Sequence, residues 1–201
     1  YVRTYTGATA TITNGIDLAG KGGLVWAKNR TQNYNHLLID TVRGGNKLVK
    51  SNGSGAEETA SDLITAFNSN GYTVGADASF GSLNNSTTDK GVHWTFRNAP
   101  GFFDVVTYTG NGNTPQAIAH NLGSMPGMVI VKKTSGSGDW MVWNRDLNGG
   151  RLELNQTGSA GSGVWGSTEP TSTHFYVAGA TATGASGATY VAYVFAGGES
   201  T

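Results

Sequence analysis

Cysteine is absent from this 201-residue chain. That excludes disulfide staples, thiolate nucleophiles and cysteine-ligated zinc together. Charge is scarce as well. Asp, Glu, Lys and Arg make up 13% of the residues, 13 of each sign, for a formal net charge of +0. No block of like charge stands out. Binding through phosphate neutralisation needs a concentrated basic face, so no nucleic-acid partner is expected. Apolar runs stay far short of a bilayer's thickness, so no membrane insertion is expected. The chain opens on Tyr1 with no basic segment and apolar stretch behind it. No signal peptide is read there, and a segment of a longer protein is expected.

Glycine is plentiful, at 31 residues, and Thr, Ser and Asn are frequent. Gly and Asn supply the φ > 0 positions of tight turns, so short strands and many turns are expected. Leu24-Val25-Trp26-Ala27 and Met128-Val129-Ile130-Val131 are short apolar runs between Gly and Lys, and they read as buried strands. Asp104-Val105-Val106-Thr107-Tyr108-Thr109 is β-branched and aromatic and precedes Gly-Asn-Gly, so it reads as a strand and its turn. Leu152 and Leu154 alternate with polar neighbours, which puts one face of that strand in the core. Thr189 to Phe195 is the strongest strand pattern. The one helical candidate is 57–67, where Leu63, Ile64 and Phe67 have helical spacing behind acidic residues. At most a short helix or turn is expected there.

The chain repeats itself. Thr4-Tyr5-Thr6-Gly7 recurs as Thr107-Tyr108-Thr109-Gly110, and Gly23-Leu24-Val25-Trp26-Ala27-Lys28 as Gly127-Met128-Val129-Ile130-Val131-Lys132. Gly44-Gly45 returns as Gly149-Gly150, and Tyr72-Thr73-Val74 as Phe175-Tyr176-Val177. The copies close on Val92-His93-Trp94-Thr95-Phe96 and Val191-Ala192-Tyr193-Val194-Phe195. That many landmarks in one order imply a duplication. The expected organisation is two β-rich modules, 1–99 and 100–201. The expected fold class is all-β, with two tandem similar β-sandwich, jelly-roll-like modules.

Motifs for chemistry are missing. His36, His93, His120 and His174 form no ligand spacing, so no metal site is expected. His93 reads as a strand or core histidine and His120 as part of a turn. Gly20-Lys21-Gly22-Gly23 and Gly44-Gly45-Asn46-Lys47 do not fit a phosphate loop, and a hairpin turn explains the recurring Gly-Gly better. No G-x-S-x-G elbow occurs. Glu57, Glu58 and Asp62 are near in sequence, but a carboxylate pair must flank a bond at defined separation, and a solvated acidic segment accounts for them. No catalytic residue, no enzyme activity and no cofactor are expected.

The aromatics carry the remaining functional signal. Trp94 and Phe96 match Tyr193 and Phe195 and read as core. Tyr34 lies in the polar stretch 31–36, and Trp140 and Trp165 sit beside Gly/Ser-rich loops. Loop aromatics among amides and hydroxyls suit stacking on sugar rings, so Tyr34, Trp140 and Trp165 are the candidate receptor-binding residues. Packing between modules is the competing account.

Two runs resemble a recurrent segment of tailed-bacteriophage tail-fibre and virion-appendage proteins. One is Gly101-Phe102-Phe103-Asp104-Val105-Val106-Thr107-Tyr108-Thr109-Gly110-Asn111-Gly112. The other is Ile118-Ala119-His120-Asn121-Leu122-Gly123-Ser124-Met125-Pro126-Gly127-Met128-Val129-Ile130-Val131-Lys132. The resemblance extends to Tyr190-Val191-Ala192-Tyr193-Val194-Phe195. Copy one departs from it at 14–20, which lacks the His and Pro. The resemblance implies a structural virion protein, located in a tail fibre or host-attachment appendage. Its implied partners are other virion proteins, a homotrimer of its own chain, and a host surface glycan or protein. The alternative is a capsid decoration, head fibre or architectural adaptor without receptor binding.

Overall fold

The computed structural model describes residues 1–147 and 149–198. Strand is the dominant state and the fold is all-β. Contacts divide the chain into two compact units. Unit 1 holds Tyr1–Gly53 and Glu58–Arg97; unit 2 holds Ser54–Glu57 and Asn98–Thr201.

In unit 1 the strands are β1 (Val2–Thr4), β2 (Ala10–Thr13), β3 (Gly23–Asn29), β4 (Leu37–Asp40), β5 (Lys47–Lys50), β6 (Glu58–Thr59), β7 (Ile64–Asn68), β8 (Gly71–Val74) and β9 (Lys90–Arg97). The larger sheet is ordered β1-β9-β3-β4-β5-β6 and the smaller β2-β8-β7. Every pairing is antiparallel. The core lies between the two sheets. Val25 and Ala27 of β3, Leu37 and Ile39 of β4 and Leu48 of β5 cluster with Ile12 of β2 and Tyr72 and Val74 of β8. Period-2 alternation does this: Val25, Ala27 and Asn29 share one face of β3, while Trp26 and Lys28 share the other.

In unit 2 the strands are β10 (Phe103–Thr109), β11 (Gln116–Ala119), β12 (Pro126–Lys133), β13 (Met141–Asn144), β14 (Leu152–Glu153), β15 (His174–Val177) and β16 (Thr189–Ala196). The sheets are β10-β16-β12-β13-β14 and β11-β15. In both units the larger sheet runs first strand, last strand, third, fourth, fifth. Val129, Val131, Met141, Trp143, Ala192 and Val194 from the larger sheet meet Ile118, Phe175 and Val177 from the smaller.

Ser54–Glu57 follows β5 in the chain but bonds within unit 2. The Glu57 N–H donates to the Thr134 carbonyl at 3.0 Å, and the Gly138 N–H donates to the Ser54 carbonyl at 2.8 Å. Lys132 Nζ donates to the same carbonyl at 3.4 Å from a fully buried side chain. We call this segment the strap.

Several sequence expectations are corrected. The stretch 57–67 is not helical. Glu58–Thr59 pairs with β5, and Ile64–Asn68 is a strand against β8 with a register shift between Ile64 and Ala66. Pairing with a neighbour overrides a local helical spacing of three apolar residues. Apart from a single 3-10 turn at Arg145–Leu147, the helix that forms among the described residues is the α-helix Leu18–Lys21 (α1). Asp17 caps it, accepting the Gly20 N–H at 2.7 Å, and Leu18 anchors it in the core. Leu152 and Leu154 are exposed, because β14 is a two-residue strand at the sheet edge. Trp94 is 46% exposed, since it lies on the face of β9 opposite the core-facing His93.

Candidate functional site

Tyr34 stands on a loop that is fixed at both ends. Where β3 ends, the buried Asn29 turns the chain outward: its Oδ1 accepts the N–H groups of Thr31 and Gln32 at 2.8 and 2.9 Å. Its amide group donates to the Gly81 carbonyl and to Asp89 Oδ2, both at 2.9 Å. Before β4, Asn52 Oδ1 accepts the His36 N–H at 2.9 Å, and Ser82 Oγ donates to the Asn35 carbonyl at 2.5 Å. The Tyr34 ring packs over Gly81, where a Cβ would come within 2.6 Å of it and where φ is +72°. Only glycine leaves room for the ring and adopts that backbone without strain. Tyr34 is 38% exposed and its hydroxyl lies 3.5 Å from the Asn85 amide nitrogen. The result is an aromatic ring packed over Gly81, with the Asn85 amide beside its hydroxyl.

The other two candidates lie in unit 2 and are core residues. Trp140 is fully buried, its ring stacked on Tyr193 at 6.2 Å and 19°. Its backbone N–H donates to Asn155 Oδ1 at 2.9 Å. Trp165 is 8% exposed, bridges to Val177 and belongs to the hydrophobic cluster of unit 2. An aromatic of that size removes more apolar area from water by packing than by lining a loop, and neighbouring glycines do not prevent it. Neither ring offers a free face to a ligand. Tyr34 belongs to unit 1, and Trp140 and Trp165 belong to unit 2.

A second aromatic surface escaped the sequence reading. Trp26 and Trp94 are cross-strand partners in unit 1, their rings 6.0 Å apart and edge-on at 61°. A hollow of about 230 Å³ is lined by these two and Phe96. A larger one, about 390 Å³, is lined by Tyr1, Asn14, Ile16, His93, Trp94, Thr95 and Phe96. Asn14 Nδ2 donates to Thr95 Oγ1 at 3.0 Å on its wall. The alternation Val92, Trp94, Phe96 against His93, Thr95 was the available signal; repeat symmetry with the buried Tyr193 pointed the other way.

Titratable groups behave as structural members. His93 is fully buried, and its Nδ1 is 2.7 Å from the Tyr72 hydroxyl. Burial, reinforced by the positive charge of Arg3, pushes its pKa down to about 3. Burial pushes the Asp77 carboxyl up to about 6, against backbone N–H donors such as Leu83 that favour the anion. His120 lies beside Phe175 with Nε2 3.2 Å from the Thr171 carbonyl, and burial lowers its pKa. Among the described residues, no group of three or more His, Cys, Asp or Glu gathers in a way that could hold a metal ion.

Residues 1–200 match DUF7483, a domain of unknown function. The chain belongs to this family. The DUF7483 match runs through both units. No curated protein and no solved structure matches the chain.

Proposed function

We propose that this DUF7483 chain is a structural protein of a tailed-phage virion, built into a tail fibre or host-attachment appendage that contacts a cell-surface receptor. We read each unit as a β-sandwich-like module in a tandem pair. The observation that carries the reading is the shared strand order of the two units, first-last-third-fourth-fifth. It coincides with the motifs that resemble virion-appendage modules. Repetition of one rigid module is how weak surface contacts become avidity in a fibre. Tyr34, supported on Gly81 with the Asn85 amide beside its hydroxyl, is the receptor contact that fits a neutral glycan.

A second reading is an architectural protein without a receptor, such as a capsid decoration, head fibre or adaptor. The burial of Trp140 and Trp165 favours it, because both aromatics serve packing. Immunogold electron microscopy of intact particles, with an antibody against residues 1–201, separates the two. Label on tail-associated fibres supports attachment. Label spread over the head selects decoration, and particles without label overturn the virion assignment.

A further inference from the structure

The strap has a counterpart in unit 2, and the hydrogen bonds identify it residue by residue. In unit 1 the Ser51 N–H donates to the His36 carbonyl, Asn52 Oδ1 accepts the His36 N–H, and the Gly53 N–H donates to the Lys50 carbonyl. In unit 2 the Leu154 N–H donates to the Trp140 carbonyl, Asn155 Oδ1 accepts the Trp140 N–H, and the Gln156 N–H donates to the Glu153 carbonyl. After the strap, Glu58 pairs with Leu48; in unit 2, Gly161 bridges to Arg151. Both brackets carry the same spacing. Ser54-Gly55-Ala56-Glu57 therefore corresponds to Thr157-Gly158-Ser159-Ala160.

The two segments differ in what they meet. Ser54–Glu57 is bonded to Thr134, Gly138 and Lys132. Residues 157–160 are all exposed. The place that receives the strap also has a counterpart. β3 and β12 match as Val25 to Val129, and His36 matches Trp140, at one constant spacing. Lys28, Arg30 and Tyr34 thus stand where Lys132, Thr134 and Gly138 stand. Lys132 is fully buried, whereas Lys28 is half-buried and Arg30 and Tyr34 are exposed. The donor segment is uncovered in unit 2, and its acceptor is uncovered in unit 1.

We propose that residues 157–160 of one copy dock on the Lys28–Arg30–Tyr34 end of β3 in a second copy, as Ser54–Glu57 docks on Lys132, Thr134 and Gly138. In this contact the Ala160 N–H donates to the Arg30 carbonyl and the Tyr34 N–H donates to the Thr157 carbonyl. Lys28 Nζ caps that same Thr157 carbonyl. The interface is heterologous, donor on one copy and acceptor on the next. It closes into a ring or extends into a filament according to the rotation between copies. In a filament, the copy at one end alone keeps Tyr34 uncovered. This goes beyond the attachment reading, and a docked copy cannot also present Tyr34 to a receptor.

The absence of cysteine makes the test direct. Ala160→Cys and Arg30→Cys are placed on separate chains, mixed and oxidised. A mixed-disulfide dimer is expected, and the double variant on one chain should give a ladder of head-to-tail oligomers. Val42→Cys, on an exposed residue away from the acceptor, is the control partner for Ala160→Cys. Lys28→Glu should weaken concentration-dependent self-association by about tenfold, the loss of one charge-assisted hydrogen bond. Crosslinking to Val42→Cys as strong as to Arg30→Cys overturns the proposal. So does a double variant that closes only within its own chain, or a protein that stays monomeric and uncrosslinked at concentrations where fibres assemble.

Discussion

Replacing Asp77 with Asn should unmask a pH dependence that the native chain hides. His93 is neutral in the fold, with a pKa of about 3 against an ordinary 6.5. Between these values the unfolded chain binds the proton and the folded chain does not. Stability contributed by the neutral ring is therefore whole above pH 6.5 and is lost as pH falls towards 3. A tenfold change in proton affinity is about 1.4 kcal/mol, so the full loss is about 5 kcal/mol. Asp77 has the opposite sign. Its folded pKa is about 6 against an ordinary 3.8, so the folded chain binds the proton first. Acidification from pH 6 to 3.8 gains about 3 kcal/mol from that group. Over that window the two nearly cancel, leaving a net loss of about 2 kcal/mol between pH 7 and 3. Asp77→Asn removes the gain. Asn keeps an oxygen for the Leu83 N–H and tolerates the positive φ of 51° at this position. Urea unfolding followed by tryptophan fluorescence at pH 7, 6, 5 and 4 gives the stability of each chain. Other groups titrate alike in both, so the difference between the two curves isolates Asp77. The variant should fall more steeply below pH 6 and end about 3 kcal/mol further below its own pH 7 value. Parallel curves would refute the reasoning.

Four further outcomes follow from the packing. Trp140→Ala should cost about 3–5 kcal/mol, measured by urea midpoint, because it empties a fully buried site stacked on Tyr193. Tyr34→Ala should cost under about 1 kcal/mol in the same assay, since its ring is a supported surface group, and under the proposed attachment role it should lower adsorption of particles to host cells. Gly81→Ala should displace the Tyr34 ring, seen as a change in its aromatic NMR shifts, and cost about 1 kcal/mol for the left-handed backbone. Asp17→Ala should cost on the order of 1 kcal/mol by removing the cap of α1.

Period-2 patterns and turn residues made most strands legible. Gly23–Asn29, Pro126–Lys133 and Thr189–Ala196 lie where alternating or continuous apolar runs place them. Local spacing misled at 57–67, where pairing with β5 and β8 outweighed a weak helical signal. It was silent at α1, whose four residues are too few for periodicity and depend on the Asp17 cap. The aromatics were the hardest to place. Glycine-rich neighbours suggested that Trp140 and Trp165 faced solvent, while repeat symmetry suggested that Trp94 was core; burial reversed all three. Of the candidate contacts, Tyr34 alone is presented to solvent, and its supporting Gly81 lies 47 residues away in the chain.

By itself the amino-acid sequence determined the all-β class and most of the strand positions. It also carried the lack of thiol chemistry, because these depend on composition, alternation and turn residues within short windows. Only the tertiary structure decided which tryptophans are buried and where His93 and Asp77 lose their water. It likewise decided that the Ser54–Glu57 strap bonds to Thr134 and Gly138. Those outcomes depend on partners dozens of residues away, and burial is a property of the partners that a side chain meets, which no local pattern records.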